Sequence, residues 1–148
     1  MKFEQLLQPG QIAVNVAVLN KRRALEEITK RLTAGHPAFS AEAVLASLLG
    51  REKLGSTGLG HGVAIPHGRI AGLAETVGAF IRLEHAIDYD AHDGAPVDLI
   101  FGLLVPEKST SEHLQNLAAV AEKLSDESFC ARVRSAPDAA AVTALFAH

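Results

Sequence analysis

Tryptophan is absent from these 148 residues, and tyrosine and cysteine occur once each. Aromatic residues make up only 5% of the chain, against 48% hydrophobic residues in all. A core of ordinary size is therefore expected, built from Leu, Val, Ile and Ala rather than from rings. The single cysteine, Cys130, excludes an internal disulfide and is compatible with a reducing compartment. Its setting, Ser128-Phe129-Cys130-Ala131-Arg132-Val133, suits a small buried hydrophobe better than a reactive thiol. Neither sign of charge dominates, since 14 basic and 17 acidic residues give −3. This balance argues against a nucleic-acid binder, which shows a basic face, and against a polybasic membrane anchor. No uncharged apolar run approaches membrane-spanning length, and the opening MKFEQLLQPG lacks the apolar centre of a signal peptide. A soluble, cytoplasmic protein of one domain, residues 1–148, is the expectation.

No internal repeat, low-complexity tract or linker interrupts the chain. Phe3 to Leu7 suits a short helical turn stopped by Pro9-Gly10. Ile12 to Val18 predicts a strand, with Asn15 as its polar interruption. Asn20 caps a helix to about Thr33, with Leu25, Ile28 and Leu32 as its apolar stripe. Gly35 and Pro37 stop it. Ser40 opens a second helix that buries Val44, Leu45, Leu48 and Leu49 and ends near Gly50-Arg51-Glu52. Val63 to Ile65 and Thr76 to Leu83 predict strands. Val97 to Val105, nearly all apolar, predicts a strand buried on both faces and ended by Pro106. Ser109-Thr110-Ser111-Glu112 forms a capping box before a helix with Leu114, Leu117, Ala121 and Leu124 on its core stripe. Ser125 caps a shorter helix to about Val133, and Pro137-Asp138 opens a last one ending at Phe146. Alternating strands and helices predict an α/β fold. A central mixed β-sheet is flanked by helices on both faces, with antiparallel pairing around residues 76–105.

Gly55-Ser56-Thr57-Gly58-Leu59-Gly60-His61-Gly62 holds four glycines in eight residues, the density of a loop that approaches something closely or needs positive φ. A phosphate-binding P-loop would need Lys where His61 stands, and a dinucleotide fingerprint would open a helix rather than a strand. Neither template fits. The chain carries seven histidines, yet no pair has the i,i+4 spacing of zinc proteases and no cysteine pair accompanies them. His85, Asp88, Asp90, His92 and Asp93 cluster in sequence and suit solvated turn residues better than metal ligands. His67 follows Pro66, which stiffens the backbone, and precedes Gly68. It suits a nucleophilic imidazole and a structural histidine equally. His113, near the start of a helix, is either a surface histidine or a neutral donor at an anion-favouring helix end. Arg51, at the end of the second helix, either satisfies that helix terminus or offers a guanidinium to an anion.

The run Arg51-Glu52-x-x-Gly55-Ser56-Thr57-Gly58-Leu59-Gly60-x-Gly62-Val63-Ala64-Ile65-Pro66-His67-Gly68 resembles the phosphorylation-site signature of the fructose/mannitol-type enzyme IIA of the bacterial phosphotransferase system. The stretch Ile87-Asp88-Tyr89-Asp90-Ala91-x-Asp93-Gly94-x-Pro96 through Phe101, then Leu104-Val105-Pro106 and His113-Leu114, match it as well. Within that family the chain is most similar to the nitrogen-regulatory branch. The resemblance implies that His67 accepts a phosphoryl group from a histidine-containing phosphocarrier protein, with Arg51 and His113 at the site and Ser56 or Thr57 as further donors. It implies no metal and no cofactor, because the donor is itself a phosphohistidine. Its partners would be that carrier and either regulated protein targets or, on the alternative transport reading, a IIB domain. The lack of an attached IIB or IIC segment favours the regulatory role. His61 stands where the family pattern suggests a small polar residue such as Asn, and is expected to face solvent.

Overall fold

The computed structural model describes residues 3–8, 10–34, 36–108 and 111–147, apart from the side chains of Glu4, Glu112 and His113. The helix stops expected at Pro9 and Gly35, and the Ser109-Thr110 half of the capping box, lie outside the described residues. Element order is α1 (Phe3–Leu6), β1 (Ile12–Val16), α2 (Lys21–Thr33), α3 (Ala41–Glu52), β2 (Gly58–Gly60), β3 (Val63–Ala64), β4 (His67–Ile70), β5 (Val77–Ile87), β6 (Val97–Pro106), α4 (Ser111–Ser125), α5 (Glu127–Ser135) and α6 (Ala139–Phe146).

The strands form one mixed sheet in the order β1-β5-β6-β3-β2, with β4 also on β6. The β5–β6 hairpin pairs antiparallel, Phe80 opposite Phe101, and is the spine of the sheet. β1 joins β5 parallel. β6 is buried along nearly its whole length, as an apolar run covered on both faces requires. On one face α2 and α3 pack Ala24, Leu25, Ile28, Leu32, Val44 and Leu48 against Ala79, Ile81, Ile100 and Leu104. On the other, α1, α4, α5 and α6 pack against Phe80, Leu99, Phe101 and Leu103. Phe80, Phe101 and Phe129 gather around Phe146 with ring centroids 5.1–5.6 Å apart. The few aromatic rings are thus concentrated on one face. Cys130 is buried in the same layer, where its thiol donates to the Leu124 carbonyl at 3.1 Å and burial raises its pKa.

The caps decide the helix boundaries. Asn20 Oδ1 accepts from the Arg23 amide at 2.9 Å and Ser40 Oγ from Ala43 at 3.0 Å, as the sequence predicts. For α5 the cap is Asp126 rather than Ser125: its carboxylate accepts from the amides of both Ser128 and Phe129. A carboxylate outcompetes a hydroxyl here because it takes both amides and carries negative charge at the positive helix end. β1 ends at Val16, short of the predicted Val18. A register shift between Ala13 and Val16 surrounds Asn15, whose φ of 56° is left-handed. Asparagine tolerates that conformation better than a β-branched neighbour.

Two strands were not expected. Gly58–Gly60, read as loop, is β2, antiparallel to β3. His67, beyond the strand predicted for Val63 to Ile65, begins a strand of its own, since β4 continues along β6 to Ile70. β5 runs to Ile87, four residues beyond the predicted end. Leu45 and Leu49 are only half-buried at the edge of the α3 face. Leu114 departs furthest from expectation: it is 64% exposed rather than in the core.

Candidate functional site

β3 and β4 lie end to end along β6, parallel to it. Ala64 stands opposite Ile100 and His67 opposite Leu103, three residues further on in both strands. The interruption is Ile65-Pro66. Proline has no N–H to give the ladder, but the Pro66 carbonyl accepts from the Leu103 amide at 3.0 Å, while the Ile65 amide turns to the Thr57 carbonyl at 3.1 Å. The strand is therefore pinned on both sides of the proline. Alternation then sends Val63, Ile65 and His67 to the face covered by α4. Gly68 points the other way, where an added Cβ would run into Ser47 Oγ. Gly68 is thus required by the close approach of α3.

His67 is half-buried, and its Nδ1 lies 2.8 Å from the Ile65 carbonyl oxygen. Only a donor can face a carbonyl there, so Nδ1 carries the proton and the lone pair is on Nε2. Burial lowers the imidazole pKa below its ordinary value, and the positive charge of Arg51 lowers it further. The Ile65 hydrogen bond and the negative charge of Glu52 act in the opposite direction without overcoming burial. The ring is held neutral, in one tautomer.

A cleft of about 440 Å³ opens onto this ring. Arg51, Ser56, Thr57 and Gly58 line one side, and Leu114, Leu117, Ala118 and Ala121 of α4 line the other. The stripe predicted for the core thus forms, in its first half, a cleft wall, and only Leu124 at its far end is fully buried. A second depression of about 400 Å³ reaches His67 and Arg51 from the α3 side, past Leu54 and Arg69. His67 and Arg51 occupy the ridge between the two.

The structure brings Arg51, Ser56, Thr57 and His67 together around one cleft. His113 is the third residue of α4, beside the cleft-lining Leu114, and its side chain lies outside the described residues. The Arg51 guanidinium donates to the Gly55 carbonyl at 2.9 Å. Ser56 Oγ donates to the Tyr89 carbonyl at 3.0 Å and accepts from the Gly58 amide at 3.1 Å. Gly58 is needed because a Cβ there would lie 2.8 Å from that of Ala91. Thr57 donates its amide to Glu52 Oε1 at 3.1 Å and its hydroxyl to Glu52 Oε2. Glu52 also receives Lys21 Nζ at 3.0 Å and the Tyr89 hydroxyl at 3.3 Å. Sequence reasoning assigned no role to Lys21, Glu52 or Tyr89. The available signal was an acidic residue ending a helix, where the dipole favours a base.

The turn between β5 and β6 spends its carboxylates on backbone. Asp88 Oδ1 accepts from Asp90 N, and Asp93 accepts from Ala95 N and His61 N. Those amides hold the Asp93 pKa low. Among the described residues no group of three or more His, Cys, Asp or Glu is arranged to hold a metal ion. His92 of this turn lines the cleft. His61 is exposed with φ of 55°, a left-handed position that Asn, the residue expected there, adopts readily. No helix among the described residues is long and apolar enough to cross a membrane.

Comparison with known proteins agrees with this architecture. The nitrogen regulatory protein of Pseudomonas aeruginosa is 46% identical over 142 residues, covering 96% of this chain and 92% of that one. The crystal structure of the nitrogen regulatory protein IIA-Ntr from Neisseria meningitidis superimposes with a TM-score of 0.90 at 43% identity, covering 97% of this chain and 98% of the other. The 2-O-alpha-mannosyl-D-glycerate-specific EIIABC component of Escherichia coli is 32% identical over 138 residues, 92% of this chain but 21% of that larger protein. A family model described as the phosphoenolpyruvate-dependent sugar phosphotransferase system, EIIA 2, matches residues 5–148, and the chain belongs to that family.

Proposed function

We propose that this chain is a phosphohistidine carrier. His67 accepts a phosphoryl group from a histidine-containing phosphocarrier protein, and the protein regulates nitrogen or other metabolism through binding that depends on its phosphorylation state. The observation that carries the reading is the half-buried, neutral imidazole whose Nδ1 is fixed by Ile65, in a cleft shared with Arg51. In the reaction, Nε2 attacks phosphorus in line, the donor's P–N bond breaks with its electron pair returning to the donor imidazole, and a new P–N bond forms on His67. Nδ1 keeps its proton throughout. The transferring group spreads charge over three oxygens, so the protein's part is positioning and preorganised donors. Arg51 supplies a guanidinium. His113 completes the phosphoryl-binding set, while Ser56 and Thr57, whose hydroxyls donate to the Tyr89 carbonyl and to Glu52, shape the loop beside it rather than donate to the phosphoryl group. No metal or other cofactor enters, because the donor arrives already phosphorylated.

The kinship to nitrogen regulatory proteins across almost the whole chain favours the regulatory output. The EIIABC relative supports a second reading, transfer onward to a IIB domain. Incubation with phosphoenolpyruvate, enzyme I and each candidate phosphocarrier should yield acid-labile label on His67, and none on His67→Ala. Label persisting on the variant would overturn the assignment. Rapid chase of that label onto a IIB domain would select the transport reading over the regulatory one.

A further inference from the structure

Glu52 closes α3, and its side chain is 6% exposed. Two things are unfavourable about that placement. A carboxylate at a helix C-terminus meets the negative end of the dipole, and a buried anion must be paired and hydrogen-bonded to be tolerated. Four donors answer it. Lys21 Nζ and the Thr57 amide converge on Oε1 at 3.0 and 3.1 Å. The hydroxyls of Thr57 and Tyr89 converge on Oε2 and lie 3.2 Å from each other. Lys21 also sits over the Tyr89 ring, 4.6 Å from its centre. Four segments meet here: the start of α2, the end of α3, the glycine-rich turn and the second residue after β5.

The turn is gripped by two consecutive residues. Arg51 holds the Gly55 carbonyl, and Glu52 holds both donors of Thr57, its amide and its hydroxyl. We propose that Glu52 is a positioning residue for phosphoryl transfer, which with Lys21 and Tyr89 behind it sets the Gly55–Thr57 turn and the Arg51 guanidinium in the geometry that the phosphoryl group meets. This rests on His67 being the carrier. Because so little covalent chemistry falls to the protein, a misplacement of about 1 Å is worth roughly a hundredfold in rate.

The test is single-turnover phosphoryl transfer from the phosphorylated carrier to Glu52→Gln, Thr57→Val and Thr57→Ser, each checked for folding. Glutamine matches Glu52 in size but turns an amide N–H₂ toward one pair of donors. The expected result is a maximal rate constant about ten- to a hundredfold lower for Glu52→Gln, with the half-saturating carrier concentration unchanged. Thr57→Val should fall between, and Thr57→Ser, which keeps the hydroxyl, should restore the rate. An unchanged rate constant in a folded Glu52→Gln, or a change confined to half-saturation, would overturn the proposal. If Glu52→Gln fails to fold, the Thr57 pair decides, and equal rates for Val and Ser would be the overturning result. A parallel NMR titration separates this idea from the carrier assignment, because it needs no relay. Loss of the Glu52 charge should lower the His67 midpoint and move the Arg51 Nε–H resonance. Wild-type protein that takes no label refutes the carrier reading, whereas unmoved His67 and Arg51 signals refute the positioning role.

Discussion

His67 is set between opposing influences, and their sum has a sign that can be checked. Burial and the Arg51 charge disfavour imidazolium, and these outweigh the Ile65 carbonyl and Glu52. The folded-state pKa therefore lies below the unfolded value of about 6.5. Between those two values the unfolded chain binds more protons than the native one, so this residue's contribution to stability is present above the unfolded pKa and lost as pH falls through the folded pKa. The NMR midpoint of the His67 ring should lie below about 6.5, and phosphoryl acceptance should stay flat across neutral pH and drop only on the acid side. A midpoint at or above the ordinary value would contradict the site's electrostatics. Pro66, His67 and Gly68 drew attention in the sequence because of their adjacency. What the sequence did not disclose is that Gly68 serves α3 through Ser47, a contact between residues 21 positions apart.

Arg82 shows the same limit for an element. It lies mid-strand in β5, where an arginine ordinarily faces water, yet it is buried. Its guanidinium donates to the carbonyls of Val133 at 2.9 Å and Ala136 at 2.7 Å, with Arg134 at 3.4 Å. These are carbonyls at the end of α5, where the i+4 amides run out and Val133 receives only the Ala136 amide, at 3.4 Å, and the cation also meets the negative end of the dipole. One side chain thus ties α5 to the sheet. Arg82→Met should leave the Ala136 carbonyl without this donor and Val133 with only its long bond from the Ala136 amide, at about 1–3 kcal/mol for each weakened acceptor, and urea unfolding should show a loss of about 3 kcal/mol. Arg82→Lys should lose less, keeping the charge but not the fork. A Met variant within about 0.5 kcal/mol of wild type, like an ordinary surface substitution, would refute the anchoring role. Long elements were legible because periodicity and caps agree over many residues, as in α2 and β6. β2 and β4, three and four residues long, are too short to show a period, and they exist because β3 and β6 offer edges to pair with.

At the scale of the whole molecule, the sheet carries His67 to a surface where apolar side chains remain uncovered. Leu54 at 84%, Leu59 at 48% and Leu114 at 64% exposure border the two depressions that meet at His67. The sequence stripe on α4 correctly marked an apolar face, but periodicity states only that a face is apolar, not whether this chain or another covers it. An exposed apolar rim around a polar reactive centre is the composition of a protein-docking surface. On the proposed function, phosphorylation of His67 would add about −2 to a net charge of −3, giving roughly −5 at the centre of that surface. Leu59→Glu and Leu114→Glu should therefore raise the half-saturating concentration of the phosphocarrier, because each places a charge where apolar area is to be buried. The maximal rate constant should change little, since neither side chain holds the imidazole or the guanidinium. Melting temperature should stay near that of wild type, as both positions are already in water. Transfer kinetics at varied carrier concentration check all of this. A fall in the rate constant at unchanged half-saturation would move these leucines from docking to catalysis, and no effect on either would place the docking surface elsewhere on the molecule.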